Sequence, residues 1–118
     1  MTIQRIVNAT RTSFRNCLRE QNLDCVTSLY HKKAILKGTF ATKPTEGHEG
    51  IKKYFKKLIR DVNDVKFDKE PIMFKKQDMI FVLGKYDFIL KDGQKIKATY
   101  QFVLEDGKIM THFSALNK

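Results

Sequence analysis

The chain has 118 residues, of which 42% are hydrophobic and 31% are charged. These proportions exclude a disordered chain and predict one soluble globular domain over residues 1–118. The net charge of +10 invites a nucleic-acid partner, but the lysines are scattered from Lys32 to Lys118 without a basic tail, so no specific nucleic acid is expected.

Targeting signals are not visible in the sequence. No apolar run approaches the roughly 20 residues that a membrane-spanning helix needs, and the first residues lack the apolar segment of a secretory signal. We therefore expect a cytoplasmic protein without membrane association. Cys17 and Cys25 lie on predicted helices with no CxxC spacing and no metal partner nearby, which predicts buried, reduced thiols.

The first half of the chain is predicted to be mainly helical. Apolar residues recur at steps of three and four from Ile3 to Leu18, which predicts an amphipathic helix over about residues 2–20. Asn22 can cap a short second helix, residues 34–40 read as a strand, and a turn-rich loop follows. A third helix is predicted over residues 47–63, with its many lysines facing solvent.

The second half is predicted to be all strand. Four segments, at residues 65–74, 79–91, 95–105 and 108–116, are rich in β-branched and aromatic residues. Two Asp–Gly pairs, at 92–93 and 106–107, join the last three segments and predict hairpins. Three helices and one early strand, followed by an antiparallel meander, predict an α+β fold.

The strand pattern also predicts which residues share a face of the sheet. If both Asp–Gly loops have two residues, Tyr86 lies opposite Thr99, and Gln101 lies opposite His112. Neither predicted face is polar enough to lie against water. We therefore expect the helices to close a cavity over one face and a second copy of the chain to cover the other.

Two stretches carry a resemblance to a known superfamily. The run LREQNLDCVTSLYHKKAILKGTF, with EGHEGIKKYF after it, resembles the nuclear transport factor 2-like superfamily. The phrase LGKYDFILKDGQKIKATYQFVLEDGK, followed by HFSAL, is similar to its SnoaL-like and calcium/calmodulin-dependent kinase II association-domain branch. The resemblance implies a cone-shaped roll of three helices on a curved, mostly antiparallel sheet, with a cavity on one face and a dimer on the other.

The resemblance also allows a comparison of catalytic positions. Gly38 falls where the ketosteroid isomerases of this superfamily have their proton-abstracting aspartate. Phe14 falls where their tyrosine donates to the oxyanion, and Thr99 lies roughly where their neutral acid stands. Glycine cannot accept a proton and phenylalanine cannot donate one, so this isomerase chemistry is not expected. The kinase-association relatives carry arginines in their cavity, and Thr99 stands where such an arginine would lie.

Two functional hypotheses follow. The first is a homodimer, with higher assembly left open, that binds a small organic ligand without catalysis and without a cofactor or metal. The second is a small isomerase or cyclase that uses His112 as general base and Tyr86 or Ser114 as donor. The dimer is predicted to use Tyr100, Phe102, Leu104 and Phe113. The predicted aromatic-lined cavity is formed by Phe14, Tyr54, Phe55, Tyr86, Thr99, Gln101, His112 and Ser114.

Overall fold

The computed structural model describes residues 2–117, which form three helices and seven strands. The helices are α1 (Ile3–Arg19), α2 (Leu23–Ser28) and α3 (Gly47–Asp61). The strands are β1 (Tyr30–Lys37), β2 (Thr45–Glu46), β3 (Val62–Phe67), β4 (Ile72–Lys76), β5 (Met79–Leu90), β6 (Lys95–Glu105) and β7 (Lys108–Leu116).

α1 and α2 begin where the sequence offers a side-chain cap. Thr2 accepts a hydrogen bond from Arg5 N at the start of α1, and Asn22 accepts one from Cys25 N at the start of α2. These caps satisfy backbone donors that the first helical turn leaves free. None of the helices formed by residues 2–117 combines the length and apolar character needed to cross a membrane.

The sheet confirms the predicted fold class. Its strand order is β2-β1-β7-β6-β5-β3, and β4 also pairs with β5. β1 runs parallel to β7, and the other pairs are antiparallel. Three helices therefore pack on a curved, mostly antiparallel sheet. Several strand bounds differ from the prediction. β1 covers Tyr30–Lys37 and not residues 34–40, and β2 lies in the predicted loop. The segment 65–74 is divided between β3, which begins at Val62, and β4 by a bend before Pro71.

The loop of the first Asp–Gly hairpin is longer than predicted. Leu90 N donates to Gln94 O at 2.8 Å, so Lys91, Asp92 and Gly93 all lie between the paired ends. The glycine has φ +90°, the left-handed conformation that closes a three-residue hairpin loop. One additional loop residue reverses the side-chain parity of β6 relative to β5.

The second Asp–Gly hairpin has the predicted two-residue loop but carries a bulge. Asp106 and Gly107 have φ values of 52° and 75°, as a type I′ turn requires, and Glu105 pairs with Lys108. The register then shifts by one residue at Met110. A bulge of this kind reverses the parity of the rest of β7 relative to β6.

The longer hairpin loop and the bulge each reverse the predicted side-chain parity once. β5 and the end of β7 therefore keep the predicted faces relative to each other, whereas the faces of β6 are exchanged. Tyr86, His112 and Ser114 share the helix-facing side of the sheet, as predicted, and all three are buried. Thr99 and Gln101, predicted to line the cavity, instead lie on the outer face because Tyr86 pairs with Ala98. Their placement in the predicted cavity was therefore wrong.

The predicted dimer residues are affected by the same reversal. Tyr100, Phe102 and Leu104 are each at most 1% exposed and lie inside the chain, among the residues packed beneath the helices. They cannot form a surface between copies. Phe113 faces outward and is 47% exposed, so only this residue of the predicted set lies on the outer face.

Two arginines of α1 tie that helix to the sheet beside β3. Arg15 Nε and Nη2 donate to the two carboxylate oxygens of Asp64 at 2.9 and 3.0 Å, and this pairing lowers the pKa of Asp64. Arg11, which is almost fully buried, donates to Asp68 and stacks on the ring of Phe67. The bidentate Arg15–Asp64 pair fixes the orientation of the two side chains in addition to pairing their charges.

The cysteines differ from the prediction. Cys17 in α1 and Cys25 in α2 form a disulfide, with their Cα atoms 5.4 Å apart. The prediction of reduced thiols was therefore wrong. The break at Gln21, where φ is 54°, turns α2 back beside α1. This turn brings two cysteines eight residues apart in the chain within bonding range.

Candidate functional site

His112 is the centre of a buried hydrogen-bond network. Its side chain is 2% exposed, and β7 directs it beneath the helices. Nδ1 lies 2.6 Å from the hydroxyl oxygen of Tyr30, and Nε2 lies 3.0 Å from that of Tyr86. The hydroxyls of Ser114 and Thr39, which bond to each other, lie near enough to lower the pKa of the Tyr86 hydroxyl. We call these five residues the histidine network.

A count of protons indicates which histidine nitrogen carries the hydrogen. Within residues 2–117, the Tyr30 hydroxyl has one polar partner, His112 Nδ1, so it is satisfied by donating there. His112 Nε2–H then donates to the hydroxyl oxygen of Tyr86. This arrangement satisfies both imidazole nitrogens and the Tyr30 hydroxyl. The opposite tautomer would leave the Tyr30 proton without an acceptor.

The network is enclosed by aromatic rings. The ring centroids of Phe102 and Phe14 lie 4.6 and 5.8 Å from that of His112, and Phe55 lies 5.9 Å from Phe14. All three phenylalanines are at most 1% exposed. Phe14 and Phe55, predicted to line a cavity, thus fill the space around the histidine with hydrocarbon.

Burial sets the protonation state of the network. It lowers the pKa of His112 from its ordinary 6.5 to about 3, because the charged imidazolium is poorly solvated there. The same desolvation raises the pKa of Tyr30 and of Tyr86. At neutral pH all three groups are therefore uncharged. Because tyrosine hydroxyls occupy both ring nitrogens, His112 cannot reach a substrate in this conformation.

An open cavity lies elsewhere, between the second half of α3, the segment after β1 and the β5–β6 turn. It has a volume of about 630 Å³, within the usual range for small-molecule sites. We call it the α3 cavity. Its lining consists of Phe40, Ala41, Lys53, Tyr54, Lys57, Leu58, Asp61, Val62, Leu90, Lys91, Asp92 and Ile96.

Tyr54 is the only predicted ligand-binding residue in this lining. Its ring lies against Gly38, where an added Cβ would come within 2.0 Å of the tyrosine Cζ. Its hydroxyl is 3.5 Å from Phe40 N, and burial raises its pKa to about 12. The tyrosine ring thus fills the space over Gly38, the position at which the isomerase resemblance would have placed a base.

Aromatic side chains separate the α3 cavity from the histidine network. Phe40 lines the cavity, and its ring centroid is 5.9 Å from that of Phe88. The Phe88 ring lies 4.7 Å from Tyr86, a member of the network. The predicted site is therefore divided in two: a packed polar network inside the chain and an accessible apolar cavity beside α3.

Most of the cavity lining was not predicted. Phe40 was assigned to the end of a strand, and Lys53 and Lys57 were assigned to a solvated helix face. One signal was available, because these two lysines are four residues apart and Tyr54 lies between them, so the three share one side of α3. The contribution of the β5–β6 turn depends on the three-residue loop, which the sequence did not reveal.

The outer face of the sheet carries an apolar patch. Neighbouring strands pair Phe74 with Phe81 and Ile72 with Leu83, and the rings of the two phenylalanines stack with centroids 4.9 Å apart. Phe113 lies on the same face beyond β6, separated from Leu83 by Gln101. These five residues form what we call the outer-face patch, in which four side chains are about half exposed or more.

The comparisons with known proteins agree with the fold described above. The sequence profile of the SnoaL-like domain matches residues 11–112. No curated protein matches the sequence of this chain.

Solved structures of other proteins have a similar fold. A protein from Xanthomonas campestris, described as a calcium/calmodulin-dependent protein kinase II association domain, is 26% identical, with a TM-score of 0.78 over 99% of this chain and 89% of that one. A Nostoc punctiforme protein with a cystatin-like fold has a TM-score of 0.82 at 10% identity, over 99% of this chain and 94% of that one. A Parabacteroides distasonis protein described as a ketosteroid isomerase has a TM-score of 0.79 at 16% sequence identity. The match covers 99% of this chain and 89% of that one.

Proposed function

Because the chain belongs to the SnoaL-like domain family, whose profile matches residues 11–112, we propose that it is a homodimeric, non-catalytic domain that binds a small organic ligand. In this proposal the α3 cavity, and not the surroundings of His112, is the binding site. One continuous hydrophobic core supports the view that the chain is a single domain.

The observation that carries the proposal is the combination of volume and wall chemistry in the α3 cavity. A space of about 630 Å³ accommodates an organic molecule of moderate size, and most of its lining residues are apolar. Burial of apolar ligand surface against such a wall contributes roughly 25 cal/mol per Å² before the costs of association. The apolar part of the wall is formed by Phe40, Ala41, Tyr54, Leu58, Val62, Leu90 and Ile96.

Filling the cavity tests this assignment. Ala41→Trp places an indole in the cavity from a loop residue that is only partly buried, so the fold should tolerate it. The variant is expected to lose binding of any small molecule that co-purifies with the wild-type chain, measured by native mass spectrometry. Ala9→Trp, on the exposed side of α1, is the control and should retain it. Equal retention by both variants would count against the α3 cavity.

The second hypothesis, an isomerase or cyclase with His112 as general base, has less support. Tyr30 and Tyr86 occupy both imidazole nitrogens, and the lowered pKa of the histidine makes it a weak base. Gly38 and Phe14 supply no alternative acid or base. Turnover of an enolisable ketone by the wild-type chain, abolished in a folded His112→Asn variant, would restore the catalytic hypothesis.

A second copy of the chain is the proposed occupant of the outer-face patch. The strand pairs place Ile72, Leu83 and Phe113 in one row across the sheet, with Gln101 of β6 between the last two. Exposed apolar patches mark interaction sites on soluble proteins. The Xanthomonas campestris relative is described as an association domain. That description also supports assembly here, with order above the dimer left open.

Light scattering tests the dimer. At micromolar concentration the wild-type chain should give about twice its 13.8 kDa mass. Phe113→Glu should shift the mass towards one chain, because association would bury an unpaired carboxylate. Lys56→Gln on exposed α3 surface makes the same change in net charge and should leave the dimer intact. A wild-type monomer at this concentration would contradict the proposal.

The predicted cytoplasmic location stays a prediction, and the disulfide argues against it. Disulfides such as Cys17–Cys25 are rare where glutathione keeps thiols reduced. Alkylating thiols in intact cells before lysis would decide the matter. Two alkylated cysteines in the isolated chain would support a reducing compartment, whereas none would support an oxidising one.

A further inference from the structure

The α3 cavity is lined by more basic residues than acidic ones. Lys53 and Lys57 are four residues apart and lie side by side on α3, and Lys91 enters from the β5–β6 turn. Asp61 and Asp92 are the acidic members of the lining. Three lysines therefore line the cavity together with two aspartates, in a chain whose overall charge is +10.

The lysines of the cavity are not neutralised by ion pairs within the described chain. Among residues 2–117, carboxylates lie within 4.0 Å of Arg11, Arg15 and Lys52, but not of Lys53, Lys57 or Lys91. All three cavity lysines are exposed, so they can reorient towards a bound molecule.

One of the two acidic residues, Asp92, is less available to a ligand than the lysines. The carboxylate of Asp92 accepts a hydrogen bond from Gln94 N at 3.0 Å and so helps to hold the β5–β6 turn. The backbone of Asp61 accepts from Lys91 N at 2.8 Å, which keeps the turn against the end of α3. An anion entering between α3 and the turn would therefore meet ammonium groups from both sides, against one carboxylate not engaged in the turn.

We propose that the ligand of the α3 cavity is an amphipathic organic anion, with an apolar or aromatic body and a carboxylate or similar head group. The body packs against the apolar wall that includes Phe40, Leu58 and Ile96. The head group lies among Lys53, Lys57 and Lys91, which supply charge-assisted hydrogen bonds. This inference rests on the proposed function, because it names the class of ligand for the same site.

Three probes that share a phenylhexyl body but differ in the charge of the head group separate the contribution of charge to binding from that of shape. They are 6-phenylhexanoate, 6-phenylhexan-1-ol and 6-phenylhexylamine, each titrated into the full chain by calorimetry near neutral pH. The carboxylate should bind about five- to tenfold more tightly than the alcohol, and the amine more weakly than either. The preference for the carboxylate should shrink when ionic strength is raised from about 20 mM to about 500 mM.

Lysine variants then locate the charge effect. Lys53→Gln/Lys57→Gln should weaken the carboxylate about fivefold and leave the alcohol within twofold of wild type. The control Lys56→Gln/Lys66→Gln makes the same change in net charge on exposed positions outside the cavity lining and should change neither affinity by more than twofold. Both variants alter exposed side chains only, so folding is retained.

The outcomes distinguish this inference from the proposed function. If the alcohol and amine bind as well as the carboxylate, and Ala41→Trp abolishes all three, the cavity is a binding site and the anionic ligand class is wrong. If the control double variant loses as much carboxylate affinity as Lys53→Gln/Lys57→Gln, the attraction comes from overall charge and the inference fails. If no probe binds at millimolar concentration, the proposed function fails and the inference fails with it.

Discussion

The imidazole Nδ1 of His112 lies 2.6 Å from the hydroxyl oxygen of Tyr30, a residue 82 positions earlier in the chain. The parallel pairing of β1 with β7, in which Leu36 is the partner of His112, brings the two strands together. The hydrogen bond therefore joins the first long strand to the last. Since both side chains are buried, each depends on the other for its polar partner.

Removing the Tyr30 hydroxyl should destabilise the chain. Tyr30→Phe leaves the acceptor Nδ1 of His112 buried without a donor, which costs about 1–3 kcal/mol of unfolding free energy. Urea denaturation measures this cost. The control is Tyr54→Phe, which removes a hydroxyl with a long 3.5 Å contact to Phe40 N and should cost less. If Tyr54→Phe proved the more destabilising, the network would not have the importance assigned to it.

The lowered pKa of His112 predicts acid sensitivity. Its value is about 3 in the folded chain and near 6.5 when unfolded, so between these limits the unfolded chain binds more protons. The stabilisation is fully present above pH 6.5 and is lost as the pH falls towards 3. Unfolding free energy should drop by about 2 kcal/mol from pH 7 to pH 5 through this group.

Nuclear magnetic resonance checks the same point without a variant. The imidazole signals of His112 should remain those of a neutral ring protonated at Nε2 from about pH 8 to pH 5. An imidazole that titrates near its ordinary pKa would show that the ring is solvated, and both the acid sensitivity and the enclosed network would be wrong.

The disulfide predicts a response to reductant. Cys17 and Cys25 are eight residues apart, and closing a loop of that size stabilises a fold by about 2.5 kcal/mol in the chain-entropy account. Cys17→Ser/Cys25→Ser, or wild type in dithiothreitol, should therefore unfold at lower urea concentration. Two free thiols found in denatured protein that had never been exposed to reductant would contradict the bond.

Neighbouring residues on β6 test the strand register. Phe102 is fully buried, so Phe102→Ala should cost about 3–5 kcal/mol of unfolding free energy. Gln101 lies on the outer face, where Gln101→Ala should change stability by no more than about 0.5 kcal/mol. Urea denaturation of the two variants compares these sites. The opposite order would restore the register in which Gln101 lies beside His112.

The helices and hairpin positions could be predicted because their signals are local. The apolar spacing of α1 and the Asn22 cap lie within the segments they determine, and the structure places α1 and α3 within two residues of the predicted bounds. The Asp106–Gly107 turn was likewise predicted with its correct two-residue loop. Fold class follows from the order of such elements.

The faces of β6 could not be predicted because they depend on single inserted residues. An Asp–Gly pair suits both a two-residue loop and the end of a three-residue loop, and Gly93 takes the second role. The bulge at Met110 has no sequence signal of its own. Because each insertion reverses parity, the assignment of Tyr86 and His112 to one face was correct only through two compensating errors.

The most direct test of the account is a titration of isotope-labelled protein with 6-phenylhexanoate, followed by backbone amide shifts. The largest changes are expected around the α3 cavity, at Ala41, Leu58 and Lys91, with the amides of Tyr30 and His112 nearly unchanged. Changes centred on Tyr30 and His112 instead would show that ligand enters the packed interior, and would contradict the assignment of the α3 cavity as the binding site.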